Sequence, residues 1–112
     1  MLQTALYTDI GGRSCNEDCV RQCSSGGDSL CLILADGLGG HGGGDRASDT
    51  VCRTLCEGFA GRVSPAVLID LLNEAHRNIK ALQTPQCSMK STAVVLMYTS
   101  PIYVLIFSVL FF

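Results

Sequence analysis

The sequence predicts an α+β fold in one domain, on three observations. Apolar, β-branched runs lie towards both ends of the chain, two helical patterns lie together between them, and a glycine-rich segment joins the first strands to the first helix. With 112 residues and a net charge of −2, the chain can support one modest core and offers no basic surface for nucleic acid or an anionic membrane.

Residues 2–9 read as a first strand, with Leu2, Thr4, Leu6 and Thr8 on one side and Gln3, Ala5, Tyr7 and Asp9 on the other. Gly11-Gly12 breaks it and opens a loop carrying Arg13, Glu17 and Asp18. Ser24-Ser25-Gly26-Gly27-Asp28 is a turn cluster that sends the chain back as a buried strand over residues 30–35. That strand delivers Asp36 into a loop with six glycines between positions 37 and 44. Such a loop allows the backbone to approach a ligand closely. The Arg13 to Asp18 loop and the Asp36 loop therefore read as two halves of one site.

From Asp45 the period changes. Ala47, Val51, Leu55 and Phe59 recur every four residues, with Ser48, Cys52 and Cys56 beside them, as on a helix stripe closed by Gly58 and Gly61. Ser64-Pro65 supplies an N-cap and a first-turn proline for a second helix, whose buried face is Leu68, Leu71, Leu72, Ala75, Ile79 and Leu82. His76 lies at the edge of that face as a packing or surface histidine. Thr84-Pro85-Gln86 ends the helix. Residues 92–98 are a further β-branched strand, followed by Thr99-Ser100-Pro101 and an almost wholly apolar end. No charged residue occurs from Ser91 to Phe112, so three readings of this end stand: a second strand of a pair, a membrane tail, or a non-native terminus.

Seven cysteines, an odd number, without a cleavable signal peptide and with Cys31 inside an apolar run, fit structural thiols in a reducing cytoplasm. A metal site in the Cys15, Cys19, Cys23 series is the alternative. Gly37, Gly39 and Gly42 match dinucleotide spacing, but the following helix leads into another helix rather than into a strand, and Asp36 would repel pyrophosphate. A P-loop fails because no Lys-Ser or Lys-Thr follows the glycines. A plainer reading makes the glycines a flexible turn and the carboxylates surface residues. Asp36 with Glu17 and Asp18 is instead the oxygen-rich setting that suits magnesium or manganese, and Arg13 adds a bidentate fork for phosphate.

The residues also carry a resemblance. Arg13-x-x-Asn16-Glu17-Asp18, Ala35-Asp36-Gly37-Leu38-Gly39-Gly40-His41, Gly44-Asp45-Arg46-Ala47-Ser48 and Met89-Lys90-Ser91-Thr92-Ala93 resemble, in order and spacing, successive motifs of the metal-dependent (PPM, 2C-type) serine/threonine protein phosphatases, closest to the bacterial style. The resemblance covers residues from about 2 to 98. It implies an α-β-β-α sandwich of antiparallel sheets with a binuclear Mn2+ or Mg2+ centre, of which this chain forms part. It further implies that Asp36 is catalytic and bridges the metals, that the Gly37 carbonyl and Glu17 hold one of them, that Asp18 orders bound waters, and that Arg13 clamps the phosphate of a phosphoserine or phosphothreonine protein substrate.

Leu38 stands where many eukaryotic members have a histidine, and Lys90 where the third motif usually has glycine. The last acidic residue is Glu74, whereas the family continues with a Gly-Asp-Ser-Arg strand and later aspartate motifs. The expectation is an N-terminal portion of a phosphatase domain over residues 1–98 with an apolar tail over 99–112, truncated or frame-shifted near Tyr98. Such a chain leaves apolar faces and strand edges exposed. The alternative function is a non-catalytic phosphate- and cation-binding module or an inactive remnant.

Overall fold

The computed structural model describes residues 3–25, 28–39 and 42–100, and the backbone course of 103–111. Six elements follow in order: β1 (Asp18–Ser24), β2 (Ser29–Gly39), α1 (Gly44–Gly58), α2 (Pro65–Leu82), β3 (Met89–Thr99) and β4 (Tyr103–Phe111). The strands form one antiparallel sheet in the order β1-β2-β3-β4. The α+β class is as expected, and among the described residues there is one sheet with two helices, one β layer and one α layer of a sandwich.

Alternation along the strands divides the sheet into two faces. Cys31, Ile33 and Ala35 of β2 and Met89, Ala93, Val95 and Met97 of β3 are buried beneath the helices. They meet Ala47, Val51, Cys52 and Leu55 of α1, the stripe read from the four-residue period. Helix α2 lies mainly on α1 and only brushes the sheet. Its N-cap is Ser64, whose Oγ accepts the Val67 N–H at 3.2 Å, and Leu68, Leu72, Ala75 and Ile79 are its buried residues. Leu71 and Leu82 pack against this core only partly buried.

On the opposite face Leu34 (49% exposed), Leu38 (66%) and Val94 (39%) look outward, so an apolar sheet face is left open as the sequence implies. A shallow groove of about 160 Å³ there is lined by Leu6, Val20, Leu32, Ile33, Leu34, Val94 and Leu96.

Two expectations need correction, the place of the first strand and the end of the second. Residues 3–10 form no strand; Leu6 and Ile10 are more than two-fifths exposed and Tyr7 is 81% exposed. Their alternation mixes threonine, glutamine and aspartate with few large side chains, and it finds no backbone partner among the described residues. The first strand is instead Asp18–Ser24, where Cys19, Arg21 and Cys23 face α1. Strand β2 does not stop before its glycines: Gly37, Leu38 and Gly39 pair with Ser91, Lys90 and Met89. The glycine-rich loop is thus shorter than the sequence suggests. The apolar end, by contrast, follows the strand-pair reading: β4 runs antiparallel to β3 from Tyr103↔Thr99 to Phe111↔Ser91, and among the described residues no helix is long and apolar enough to cross a membrane.

The turn glycines Gly26 and Gly27, the motif residues Gly40 and His41, and Leu2, Pro101, Ile102 and Phe112 lie outside the described residues. All seven cysteines are free. Cys52 and Cys56 share the α1 face against β1, with Cys52 Sγ 3.5 Å from the Cys19 carbonyl. Burial holds the Cys52 thiol well above its ordinary range and pushes Cys56 up to about 12. Such protonated thiols pack as small apolar groups, and the Cys15, Cys19, Cys23 series is split between an exposed loop and a strand face.

Candidate functional site

One cavity gathers the residues that the sequence singles out. It has a volume of about 190 Å³ and is lined by Asp9, Ile10, Arg13, Cys15, Asn16, Glu17, Asp18, Asp36 and Gly37. Two elements set its floor. Asp18 opens β1 and Asp36 sits directly across from it on β2, so the two carboxylates stand on the sheet face that points away from the helices. Partial burial, then the hydrogen bond and negative charge of Asp36, hold the Asp18 carboxyl above its ordinary value; Arg13 opposes this and Glu17 adds to it. Like charges that close together invite a cation or a shared proton.

The loop before β1 is fixed by short hydrogen bonds. Asn16 Oδ1 accepts the Asp18 N–H at 3.0 Å while its Nδ2 donates to Thr8 Oγ1 at 3.0 Å. The Asp9 carboxylate accepts from the Gly11 N–H at 3.3 Å and from the Tyr7 hydroxyl at 3.1 Å. Gly11 has φ of +62°, a left-handed conformation that glycine takes without strain, and the Arg13 N–H donates to the Ile10 carbonyl at 3.3 Å to close the turn. The result puts Arg13 at the cavity wall beside the acidic pair.

Gly37 and Gly44 show why glycine is required where β2 meets α1. The Gly37 N–H donates to the Glu17 carbonyl at 2.9 Å. A Cβ on Gly37 would collide with the backbone carbonyl of Gly44 and lie 2.7 Å from the Glu17 carbonyl oxygen; one on Gly44 would collide with Glu17 Oε2. The Glu17 carboxylate therefore rests against the first turn of α1, where the helix dipole favours negative charge.

Sequence reasoning missed two contributors. Asp9 was read as the end of a strand, yet it lines the cavity; its place just before Gly11-Gly12 is the signal for an aspartate that caps a turn. Thr92 stands in the sequence as a strand former within the Met89-to-Ala93 motif, with no role at Asp36 stated there. Its Oγ1 accepts the Asp36 N–H at 3.0 Å and lies 3.5 Å from the Asp36 carbonyl, so β3 fixes the backbone that presents Asp36. Gln83 in turn pins the start of β3, accepting from the Met89 N–H at 2.8 Å and donating to the Met89 carbonyl at 2.7 Å.

Asp36, Asp18, Glu17, Arg13 and Gly37 thus converge on one cavity. Apart from Arg13, these residues offer oxygens, the donors that hard dications prefer. With Glu17 turned to the helix, no three His, Cys, Asp or Glu side chains among the described residues form a ready metal cage. The Asp18 and Asp36 pair still fits one ion of the magnesium kind, which is bound through one or two carboxylates and keeps several waters.

Residues 8–109 match the family profile of protein phosphatase 2C. No curated protein matches the sequence. Among solved structures the chain is similar to the Streptococcus agalactiae (S. agalactiae) serine/threonine phosphatase, at 28% identity and a TM-score of 0.71 over 86% of this chain and 43% of that one. It shares the fold of a bacterial serine phosphatase carrying an arginine-to-glutamate substitution, at 23% identity and a TM-score of 0.65 over 84% of this chain and 47% of that one. The chain therefore spans less than half the length of either solved phosphatase.

Proposed function

This chain belongs to the protein phosphatase 2C family, and on that premise we propose that it binds phosphoserine or phosphothreonine in proteins and hydrolyses the phosphate ester with Mn2+ or Mg2+. The observation that carries the reading is the meeting of Arg13, Asp18 and Asp36 in one cavity. Arg13 offers its planar fork to two phosphoryl oxygens, which fixes the ester beside the acidic pair. Asp36 and Asp18 would hold the cation with the Gly37 carbonyl, and Glu17 would join them only on turning away from the first turn of α1. Bound there, a dication supplies positive charge to the reacting phosphate and lowers the pKa of water. Asp18 would also help order water beside the bound phosphate.

Phosphate release from a phosphothreonine peptide, measured with and without Mn2+, tests this. Turnover that requires the metal and falls at least about 100-fold in Asp36→Asn supports catalysis; equal background from both proteins rejects it. One observation favours a second reading, a phosphate- and cation-binding module without turnover: Glu17 is committed to the first turn of α1, which leaves two carboxylates for the metal. Phosphopeptide affinity that depends on Arg13 without release of phosphate would decide for it.

A further inference from the structure

Four thiols line the joint between β1 and α1. Cys19 and Cys23 stand four residues apart on the strand face that meets the helix, and Cys52 and Cys56 stand four apart on the helix. The two elements meet thiol to thiol. Cys52 hydrogen-bonds with Cys19, its Sγ also lying 3.5 Å from the Cys19 carbonyl, and Cys56 hydrogen-bonds with Cys23. The pairs differ in access: Cys52 is fully buried, whereas Cys23 and Cys56 are both partly open at the rim of the core. Cys23 also faces Cys31 directly across the sheet and donates to its carbonyl at 3.8 Å, but Cys31 is fully buried. Arg21, between the two strand cysteines, is tied to Asp49 of α1 at 2.7 Å, so strand and helix are held side by side at this joint.

We infer that Cys23 and Cys56 are a dithiol that a small disulfide of the glutathione class oxidises, joining β1 to α1 by a covalent bridge. The two sulfurs are already within hydrogen-bond reach, so the bond calls for adjustment of the side chains rather than unpacking of the helix. Cys56 is the entry thiol: burial and Cys23 push it up to about 12, while Cys23 is held higher still. Its thiolate attacks one sulfur of the oxidant and releases the first glutathione; Cys23 then attacks the Cys56 sulfur of the mixed disulfide and releases the second. Two S–H bonds are lost and one S–S bond forms, and the oxidant takes up both electrons and both protons as two thiols. With both thiols protonated near neutrality the exchange is slow, so the pair acts as a lasting clamp rather than a fast sensor. The bridge closes a loop from Cys23 to Cys56 that holds β2 with Asp36 and the first turn of α1 against Glu17. Oxidation therefore stiffens the frame of the phosphate cavity without using a residue that lines it.

The bridge is independent of the phosphatase reading, and no substrate is needed to detect it. The full chain is incubated overnight with oxidised glutathione at about pH 8.5, which supplies thiolate. Free thiols are then blocked with N-ethylmaleimide, and tryptic peptides are read by mass spectrometry. Cleavage after Arg21, Arg46, Arg53 and Arg62 leaves Cys23 and Cys56 on different peptides, and Cys19 and Cys52 on two others. The principal cross-link of the wild-type chain should join residues 22–46 to residues 54–62. It should be lost in Cys23→Ser and in Cys56→Ser and kept in Cys15→Ser. Oxidation should raise the wild-type urea midpoint by about 2 M, and dithiothreitol should reverse the rise. The inference is overturned if Cys23 closes on Cys31 within its own peptide, if Cys56 carries only glutathione, or if both thiols are recovered blocked by N-ethylmaleimide. A link that survives Cys23→Ser, or that forms to the same extent in unfolding urea, overturns it as well.

Discussion

Gly37→Ala should damage stability and cation binding together, because one methyl group would enter the joint between β2, the Glu17 loop and α1. Its Cβ would overlap the Gly44 carbonyl and approach the Glu17 carbonyl oxygen to 2.7 Å, and both obstacles are backbone. No side chain can rotate away. Relief requires α1 to back off or the Glu17 loop to shift, and either movement stretches the 2.9 Å bond from the Gly37 N–H to the Glu17 carbonyl. Overpacking of this kind costs about 1–3 kcal/mol, and the weakened hydrogen bond adds about 1 kcal/mol. The sum of about 3 kcal/mol is a large part of the roughly 5–15 kcal/mol available to a domain.

Urea unfolding followed by circular dichroism measures it. With a slope of about 1.5 kcal/mol per molar, typical of small proteins, the midpoint should fall by about 2 M. Gly12→Ala is the control, since a Cβ there meets nothing within 4 Å. It should change stability by less than about 0.5 kcal/mol. A Gly37→Ala midpoint matching that of Gly12→Ala would refute the argument that this glycine is required by close packing.

Further outcomes follow from the acidic pair and the thiols. Asp18 has a folded-state pKa raised above its ordinary 3.8, so the folded state holds more protons than the unfolded one in that range, and stability in chelator should fall as pH rises from about 4 through the raised value. Asp18→Asn should flatten that slope in urea midpoints taken across the range, and an unchanged slope would mean that the pair does not couple. Brief iodoacetamide treatment read by mass spectrometry should label Cys15, the exposed thiol, well before the buried Cys31 and Cys52. Early labelling of Cys52 would show that α1 does not rest on β1 as described.

Much of this fold was legible where local chemistry and tertiary packing agree. The Ser64-Pro65 signal gave α2 because a hydroxyl cap and a fixed proline φ act within one turn, whatever lies around them. The stripe from Ala47 to Leu55 gave α1 for the same reason of local period. Strand β1 was hidden because Asp18–Ser24 alternates cysteine and arginine with valine and glutamine, a pattern that reads as strand only once α1 covers one side. The glycines after Asp36 suggested a loop from their own freedom, whereas pairing with Ser91, Lys90 and Met89 extends them. The candidate site was legible in its residue types, since Arg13, Glu17, Asp18 and Asp36 lie in two short motifs. The parts of Asp9 and Thr92 depend on where loop and β3 pass in space, which no spacing in the sequence states.

On the proposed function, Asp18 and Asp36 together hold a divalent cation beside Arg13. Titration of Mn2+ into the chain, followed by electron paramagnetic resonance of the free ion, tests it most directly. Binding should be saturable, weaken at least about ten-fold in Asp18→Asn and in Asp36→Asn, and stay nearly unchanged in Arg13→Ala. Equal Mn2+ binding by the wild-type protein and both asparagine variants would contradict it.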